Sequence, residues 1–266
     1  MGQPRRVWST RMAPTEHSPT AMKEEPVNQE NVQLGSGLNG YASHPRGSGP
    51  FPAVIVLMEA YGITGHIKGV CQRLAKAGFM AVAPDIFHGD VLAYTDMDAV
   101  MTKLPTLKDD VMLKEIGMTL DWLAAQTKVE KHAIGIIGFC MGGRLAFLGN
   151  CRFPDRFKAA VCFYGGGIAA EGETDRFGRT PPIHLAAHMK APIYLGYGAD
   201  DQGIPPAEHA RITDKLSSLK KRYNLAVYPD AGHAFLCEER ANYAPGPAKR
   251  AWTEALDFLH ANLETH

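Results

Sequence analysis

Residues 138–143 read Gly-Phe-Cys-Met-Gly-Gly, and they join the short apolar run at 134–137 to a helical pattern that follows. A strand, a tight turn and a helix in this order place Cys140 at the apex of the turn. Glycines suit the flanking positions because Cβ atoms there would collide with the neighbouring strand and helix. The stretch therefore predicts a nucleophile that projects above the end of a β-sheet.

An acid and a histidine follow this cysteine along the chain. Asp200 and Asp201 lie in the segment GADDQGIP at 198–205, and His233 lies in DAGHAF at 230–235. Nucleophile, acid and base occur in this order in α/β-hydrolases. A free thiol is only slightly ionised at neutral pH, and a helix N-terminus and a nearby histidine both favour the thiolate. We predict a triad of Cys140, Asp201 and His233, with Asp200 as the alternative acid.

Glu59 ends the apolar run 54–58. A carboxylate at the tip of a buried strand is costly without a partner, so Glu59 is expected to be functional or paired. In the hydrolase fold, the loop after this strand and the residue after the nucleophile each supply one N–H to the developing oxyanion. This predicts an oxyanion hole formed by the backbone N–H groups of Ala60 and Met141, each typically lowering the barrier by roughly 3 kcal/mol.

The composition excludes several classes of function. The 266 residues include 28 Lys plus Arg and 28 Asp plus Glu, so no overall charge draws the protein to nucleic acid or to an anionic membrane. The longest clear apolar run, 53–58, is far shorter than the ~18 residues that span a bilayer. Five cysteines without a C-x-x-C pair indicate a reduced, cytoplasmic protein. We expect a soluble protein that acts on a small molecule; the oligomeric state stays open.

Short apolar runs alternate with longer helical patterns, which predicts an α/β fold with a mostly parallel sheet covered by helices on both faces. Two loops without regular pattern, 85–108 and 165–190, are the expected walls of a substrate site, and neither is long enough for a lid domain. Residues 31–34 and 38–42 flank a Gly-Ser-Gly turn and predict an edge hairpin. The predicted strands are 53–58, 80–83, 134–137, 159–163, 193–197 and 225–228, and the predicted helices are 66–77, 109–126, 206–219 and a final one around 251–259.

The first thirty residues differ from the rest of the chain. They carry Arg5, Arg6 and Arg11 together with several Pro, Ser and Thr, and almost no periodic apolar pattern. We interpret residues 1–30 as a disordered extension; an organellar transit segment, or a true start at Met12 or Met22, are the alternatives. Residues 31–266 then form a single hydrolase domain.

Six motifs together resemble the dienelactone hydrolase family: EAYG at 59–62, VAPD at 82–85, GFCMGGR at 138–144, FYG at 163–165, DQGIP at 201–205 and GHAF at 232–235. The likeness runs from about residue 32 to 263. It implies cleavage of dienelactone-type esters or lactones (carboxymethylenebutenolidase activity) by the cysteine triad through a thioester acyl-enzyme, with no metal and no cofactor. It also implies that Glu59 contacts the resting thiol and helps to activate it. Tyr61, Tyr164 and Phe235, within these motifs, are predicted to line the substrate pocket.

One departure from the family bears on the substrate. Dienelactone-cleaving members hold the substrate carboxylate with one arginine after the Pro-Asp motif and another four residues beyond the catalytic histidine. Here 85–108 contains no arginine and the second position is Cys237, so Lys103 and Arg240 are the alternatives. We expect an ester or lactone with a less acidic acyl part at least as readily as a dienelactone. The competing hypothesis is a catalytically silent hydrolase-fold protein that binds a small molecule.

Overall fold

The computed structural model describes residues 27–264. Eight strands form one sheet: β1 (Asn28–Gly35), β2 (Leu38–His44), β3 (Phe51–Leu57), β4 (Met80–Pro84), β5 (Val129–Phe139), β6 (Ala159–Phe163), β7 (Ile193–Gly198) and β8 (Tyr223–Tyr228). Their order across the sheet is β1-β2-β4-β3-β5-β6-β7-β8. The pairs β1–β2 and β2–β4 are antiparallel and all the others are parallel. The predicted α/β-hydrolase fold and the edge hairpin are confirmed.

Within the described residues, six α-helices accompany the sheet: α1 (Gly65–Lys76), α2 (Met97–Lys103), α3 (Asp109–Ala125), α4 (Met141–Arg152), α5 (Pro206–Ser218) and α6 (Pro245–Leu263). The four helices predicted from periodicity are present, as is the one after Cys140. Helix α2 corrects the interpretation of 85–108 as irregular throughout. It is capped by the Asp96 side chain, which accepts from the Ala99 N–H at 2.9 Å, and it buries only Val100, so it has no apolar stripe to reveal it.

Burial explains why the strands are continuous apolar runs. Every residue of β4, β6 and β7 is buried, as are the last seven residues of β5. Strand β1 begins at Asn28, inside the predicted 1–30 extension, and residues 1–26 of that extension lie outside the described residues. Within 27–264, no helix is long and apolar enough to cross a membrane.

The parallel strands determine where a site can form. Their carboxyl ends lie along one edge of the sheet, and chain segments that leave this edge line the ligand crevice of open α/β sheets. Glu59, Cys140, Tyr164, Asp201 and His233 each follow one of these strands within a few residues. The fold therefore gathers side chains from five separate segments at one edge.

Candidate active site

The nucleophile candidate lies in a strained turn. Cys140 has φ 55° and ψ −115°, and it is the N-cap residue of α4. A positive φ at a non-glycine residue costs about 1–3 kcal/mol and persists only when its surroundings hold it. Here the Cys140 N–H donates to the Phe163 carbonyl at 3.0 Å. A Cβ at Gly142 would overlap the Leu57 and Met58 carbonyl groups, so the helix packs directly on strand β3. The turn thus fixes the thiol at the positive end of α4.

His233 and Asp201 form a short hydrogen bond. The His233 Nδ1 lies 2.7 Å from Oδ2 of Asp201, whose side chain is fully buried. The other carboxylate oxygen, Oδ1, accepts from the Gly203 N–H at 2.8 Å. Asp200, the alternative acid, is exposed. Of the two aspartates, the structure therefore places Asp201 beside the histidine.

The second contact of the His233 ring is with the nucleophile candidate. Its side chain hydrogen-bonds to Cys140, and because Nδ1 faces Asp201, Nε2 remains for the thiol. Burial alone would lower the pKa of His233, but the charge of Cys140 and the hydrogen bonds to Asp201 and Cys140 outweigh it and raise this pKa to about 10. The His233 ring therefore carries its proton at neutral pH.

The two backbone N–H groups predicted to hold the oxyanion, those of Met141 and Ala60, donate to no described residue. Met141 is the first residue of α4, so its N–H has no partner one turn back in the helix. The Ala60 N–H likewise donates to no described residue. Leu57 pairs with Gly138 across β3 and β5, and Ala60 and Met141 each lie three residues beyond that pair. The two predicted oxyanion donors therefore lie at the ends of neighbouring strands.

Glu59 lies behind these residues and is almost completely buried, with 1% of its surface exposed. The Tyr164 hydroxyl and the Arg240 guanidinium are its polar neighbours, and the guanidinium lies 3.9 Å from Oε1. Burial raises the pKa of Glu59, whereas the charges of Arg240 and His233 act in the opposite direction. The Cys140 thiol hydrogen-bonds to His233. The hydrogen bonds of the described residues do not include one between Glu59 and this thiol, so the role of Glu59 that the family resemblance implies stays a prediction.

A cavity of about 650 Å³ opens beside Cys140 and His233. The loop after β6 supplies much of its wall, with Gly166, Gly167, Ala170, Glu171, Asp175, Arg176, Phe177 and Arg179. Opposite lie Asp200–Pro205 and the first turns of α5. The loop at 165–190 thus lines this cavity, whereas the loop at 85–108 contributes only Leu104.

Three aromatic residues predicted for the pocket lie elsewhere. Tyr61, Tyr164 and Phe235 are 3%, 0% and 0% exposed, and none of them lines the cavity. The Tyr164 ring packs against His233 and Phe235, with ring centroids 5.3 and 5.7 Å apart. Tyr164 therefore packs against the histidine from the core, and Phe235 packs behind Tyr164.

Arg144 holds one end of the loop after β6 in place through hydrogen bonds, a role that was not predicted from the sequence. Its side chain is buried on α4, and its two terminal nitrogens donate to the Asp109 carboxylate at 2.8 and 2.9 Å. One of them also donates to the Thr180 carbonyl at 2.9 Å, and Nε lies 3.6 Å from Asp175. The available signal was an arginine in the first turn of a helix whose next four residues, 145–148, are all apolar.

Helix α5 fastens the other end of the same loop. A carboxylate oxygen of Glu208 accepts from the Ala169 N–H at 3.1 Å, and Nε of Arg211 donates to the Ala169 carbonyl at 2.7 Å. Between the two fastened ends, Arg176 lies exposed with its guanidinium 4.8 Å from the centre of the Phe177 ring. It forms no ion pair with any described residue, so its charge is available to a ligand.

The arginines of the cavity therefore differ from those that the family motifs indicate. Arg176, Arg179 and Arg211 line it, and Arg179 is already paired with Asp175 at 3.0 Å. Neither alternative named from the sequence lines the cavity. Lys103 is bound to Asp90 at 2.6 Å, and Arg240 lies over the Tyr61 ring.

Comparison with known proteins places this geometry in context. The model of the dienelactone hydrolase family matches residues 38–263. A protein of Methylorubrum extorquens, provisionally named carboxymethylenebutenolidase, is 34% identical over 225 residues, covering 84% of this chain and 76% of its own. A Bradyrhizobium protein provisionally named 2-oxo-3-(5-oxofuran-2-ylidene)propanoate lactonase is 32% identical over 246 residues, covering 91% and 98%. The crystal structure of a provisionally named dienelactone hydrolase from Klebsiella pneumoniae superposes with a TM-score of 0.80 at 30% identity, covering 88% of this chain and 98% of that one.

Proposed function

Since this chain belongs to the dienelactone hydrolase family and is accordingly a hydrolase, we propose that it cleaves small carboxylic esters or lactones with Cys140 as the nucleophile. The observation that carries the proposal is the continuous series of hydrogen bonds from Asp201 through His233 to the Cys140 thiol. In this arrangement the carboxylate orients the imidazole, and the imidazole holds the thiol's proton.

In the acylation step, the Cys140 thiolate attacks the substrate carbonyl carbon and a C–S bond forms. The carbonyl π electrons move to the oxygen, which accepts hydrogen bonds from the Ala60 and Met141 N–H groups. The tetrahedral intermediate then collapses, the C–O bond breaks, and the leaving alkoxide takes the proton from Nε2 of His233. With a lactone, the ring opens, and the acyl group is held on the enzyme as a thioester. The new hydroxyl group remains part of this bound acyl group.

In the deacylation step, the same histidine works in the opposite direction. The neutral His233 ring takes a proton from water, and the resulting hydroxide attacks the thioester carbonyl. The C–S bond breaks, the carboxylic acid leaves, and the thiolate and the imidazolium are restored. Asp201 holds Nδ1 throughout, so Nε2 faces the reacting atoms in both steps.

The cavity indicates the class of substrate. A volume of about 650 Å³ suits a small organic molecule, and the exposed Arg176 gives the wall one unpaired positive charge. The name of the Bradyrhizobium relative denotes a lactone that carries a carboxylate. We therefore extend the proposed substrates to esters and lactones whose acyl part carries an anionic group held at Arg176.

The test is to trap the acyl-enzyme. The enzyme is mixed with an activated aryl ester and the reaction is quenched with acid. Mass spectrometry of the intact protein should then show one added acyl group, and peptide mapping should locate it on Cys140. Cys140→Ala should lose both the adduct and turnover. Cys151→Ala, which removes a buried thiol from the same helix, is the matched control and should retain both.

Undiminished turnover in Cys140→Ala would exclude the proposed mechanism. If a panel of lactones, aryl esters and thioesters binds to the native protein without any turnover, the binding-protein hypothesis replaces it.

A further inference from the structure

Asn242 holds the turn that carries the histidine of the proposed triad. Its side-chain N–H donates to the His233 carbonyl at 3.1 Å. The next residue, Ala234, has φ 63°, a backbone conformation that a residue with a Cβ rarely adopts. The Ala244 N–H holds the same turn, because it donates to the Phe235 carbonyl at 3.1 Å. The segment 242–244 therefore fixes the backbone on which the His233 ring is carried.

The Asn242 amide has hydrogen-bonding capacity left over at the cavity. The residue is exposed and lines the cavity together with Cys140 and His233. An amide side chain has two N–H donors and one oxygen that accepts. One donor is bonded to the His233 carbonyl, and neither the second donor nor the oxygen bonds to another described residue. Asn242 can therefore offer an acceptor and a donor to a ligand.

The side of the cavity on which Asn242 lies is polar. The other lining residues of this side are Asp200, Gln202, Gly232 and His233. They form one surface because the Asp200 N–H donates to the Ala231 carbonyl at 2.9 Å, which joins the segment after β7 to the segment that carries the histidine. The aromatic lining residue, Phe177, belongs to the loop after β6. The two sides of the cavity therefore suit chemically different parts of a substrate.

The proposed mechanism indicates which part of the substrate lies beside Asn242. His233 gives its Nε2 proton to the leaving oxygen, so this oxygen must come within hydrogen-bond distance of the ring. The carbonyl oxygen points instead to the N–H groups of Ala60 and Met141. The alcohol part of the substrate, which is attached to the leaving oxygen, therefore extends along the His233 side of the cavity.

We propose that Asn242 determines the specificity for the alcohol part of the ester. Its side-chain oxygen accepts a hydrogen bond from a hydroxyl group that the alcohol part carries beyond the leaving oxygen. This inference rests on the proposed hydrolysis and adds a second point of recognition to it, because Arg176 concerns the acyl part alone. The preferred substrates are then esters of hydroxylated alcohols, in preference to esters of plain alkyl alcohols.

The test compares two esters of similar size that share one acyl group, a 2-hydroxyethyl ester and an n-propyl ester. Both give the same acyl-enzyme, so a difference between their kcat/KM values reports on the steps up to acylation. After division by their rates of hydrolysis by hydroxide, the native protein should prefer the 2-hydroxyethyl ester about two- to tenfold, the effect of one hydrogen bond. Asn242→Leu, which is close to asparagine in size, should bring this ratio to about one.

Asn242→Asp separates the contact with the substrate from the support of the histidine. It keeps an oxygen for the substrate hydroxyl but removes the N–H that donates to the His233 carbonyl. The ratio should therefore persist while kcat/KM falls for both esters together. Asn224→Leu is the matched control, because it replaces an exposed asparagine of β8 that does not line the cavity, and it should leave both kcat/KM values unchanged.

An equal fall for both esters in Asn242→Leu, with the ratio retained, would mean that Asn242 only supports the backbone, and it would overturn the proposal. Loss of the ratio in Gln202→Leu but not in Asn242→Leu would overturn it as well. If the native protein cleaves both esters without preference, the contact with the alcohol part is wrong and the proposed hydrolysis stands. If the native protein cleaves neither ester and forms no acyl-enzyme, the hydrolysis fails and this inference fails with it.

Discussion

Replacing Asp201 by Asn should impair catalysis far more than its small change in shape suggests. In the structure both carboxylate oxygens accept hydrogen bonds, one from the Gly203 N–H at 2.8 Å and the other from His233 Nδ1 at 2.7 Å. An amide has only one oxygen. The Gly203 N–H is fixed in the backbone and retains that oxygen, so the NH₂ group faces the imidazole. His233 must then accept at Nδ1 and carry its proton on Nε2, where it can no longer take a proton from the thiol or from water.

The size of the effect follows from two terms. The wrong imidazole tautomer costs about 10⁴-fold in kcat in comparable triads, equivalent to roughly 5.5 kcal/mol of barrier. Loss of the carboxylate charge should also lower the pKa of His233 from about 10 by about 1–3 pH units. His233 is the general acid when it is protonated. The native activity should therefore decline as the pH rises through about 10, and the variant should decline at a correspondingly lower pH.

The assay is the pH dependence of kcat/KM for an activated aryl ester, alongside the rate at which iodoacetamide alkylates Cys140. Asp200→Asn is the matched control, because it removes an adjacent but exposed carboxylate and should leave both profiles unchanged. An Asp201→Asn enzyme with kcat within a few fold of the native value and an unshifted alkaline limb would refute the assignment of Asp201 as the residue that orients the histidine.

Two further predictions concern the wall of the cavity. Arg144→Met leaves the Asp109 carboxylate and the Thr180 carbonyl without their buried partner, so the free energy of unfolding should fall by about 3–5 kcal/mol and KM should rise. Urea denaturation measures the first effect and ester kinetics the second. An unchanged unfolding midpoint would contradict the role of Arg144 in holding the loop. Arg176→Ala removes an exposed, unpaired charge and should raise KM about two- to fivefold for an ester with an anionic acyl group. The KM for a neutral ester of similar size should be unaffected. Equal changes in KM for both esters would argue against recognition of the charge by Arg176.

Much of this site could be predicted from the sequence because local sterics determine it. A nucleophile turn that packs on a strand requires residues without side chains, and a Cβ at Gly138 or Gly142 would overlap backbone atoms. The buried parallel strands appear as uninterrupted apolar runs, so the sheet and the edge from which Cys140, Asp201 and His233 emerge were predictable.

The parts that could not be predicted depend on pairs that are distant in sequence. Arg144 contacts Asp109, 35 positions away in sequence, and Thr180, 36 positions away. No local sequence pattern predicts either contact. Helix α2 was missed because it is exposed on nearly all sides. Tyr61, Tyr164 and Phe235 were placed in the pocket because they adjoin catalytic positions along the chain, yet the backbone turns them inward.

The fastened loop after β6 has a consequence for engineering. Arg144 hydrogen-bonds to this loop at Thr180, and helix α5 hydrogen-bonds to it at Ala169. The stretch 170–174 and the positions around Arg176 lie between these two fixed points, so their sequence can be varied as one unit. Libraries of variants confined to these positions should change the preference for the acyl group of the substrate. The reacting atoms belong to other segments and should keep their positions.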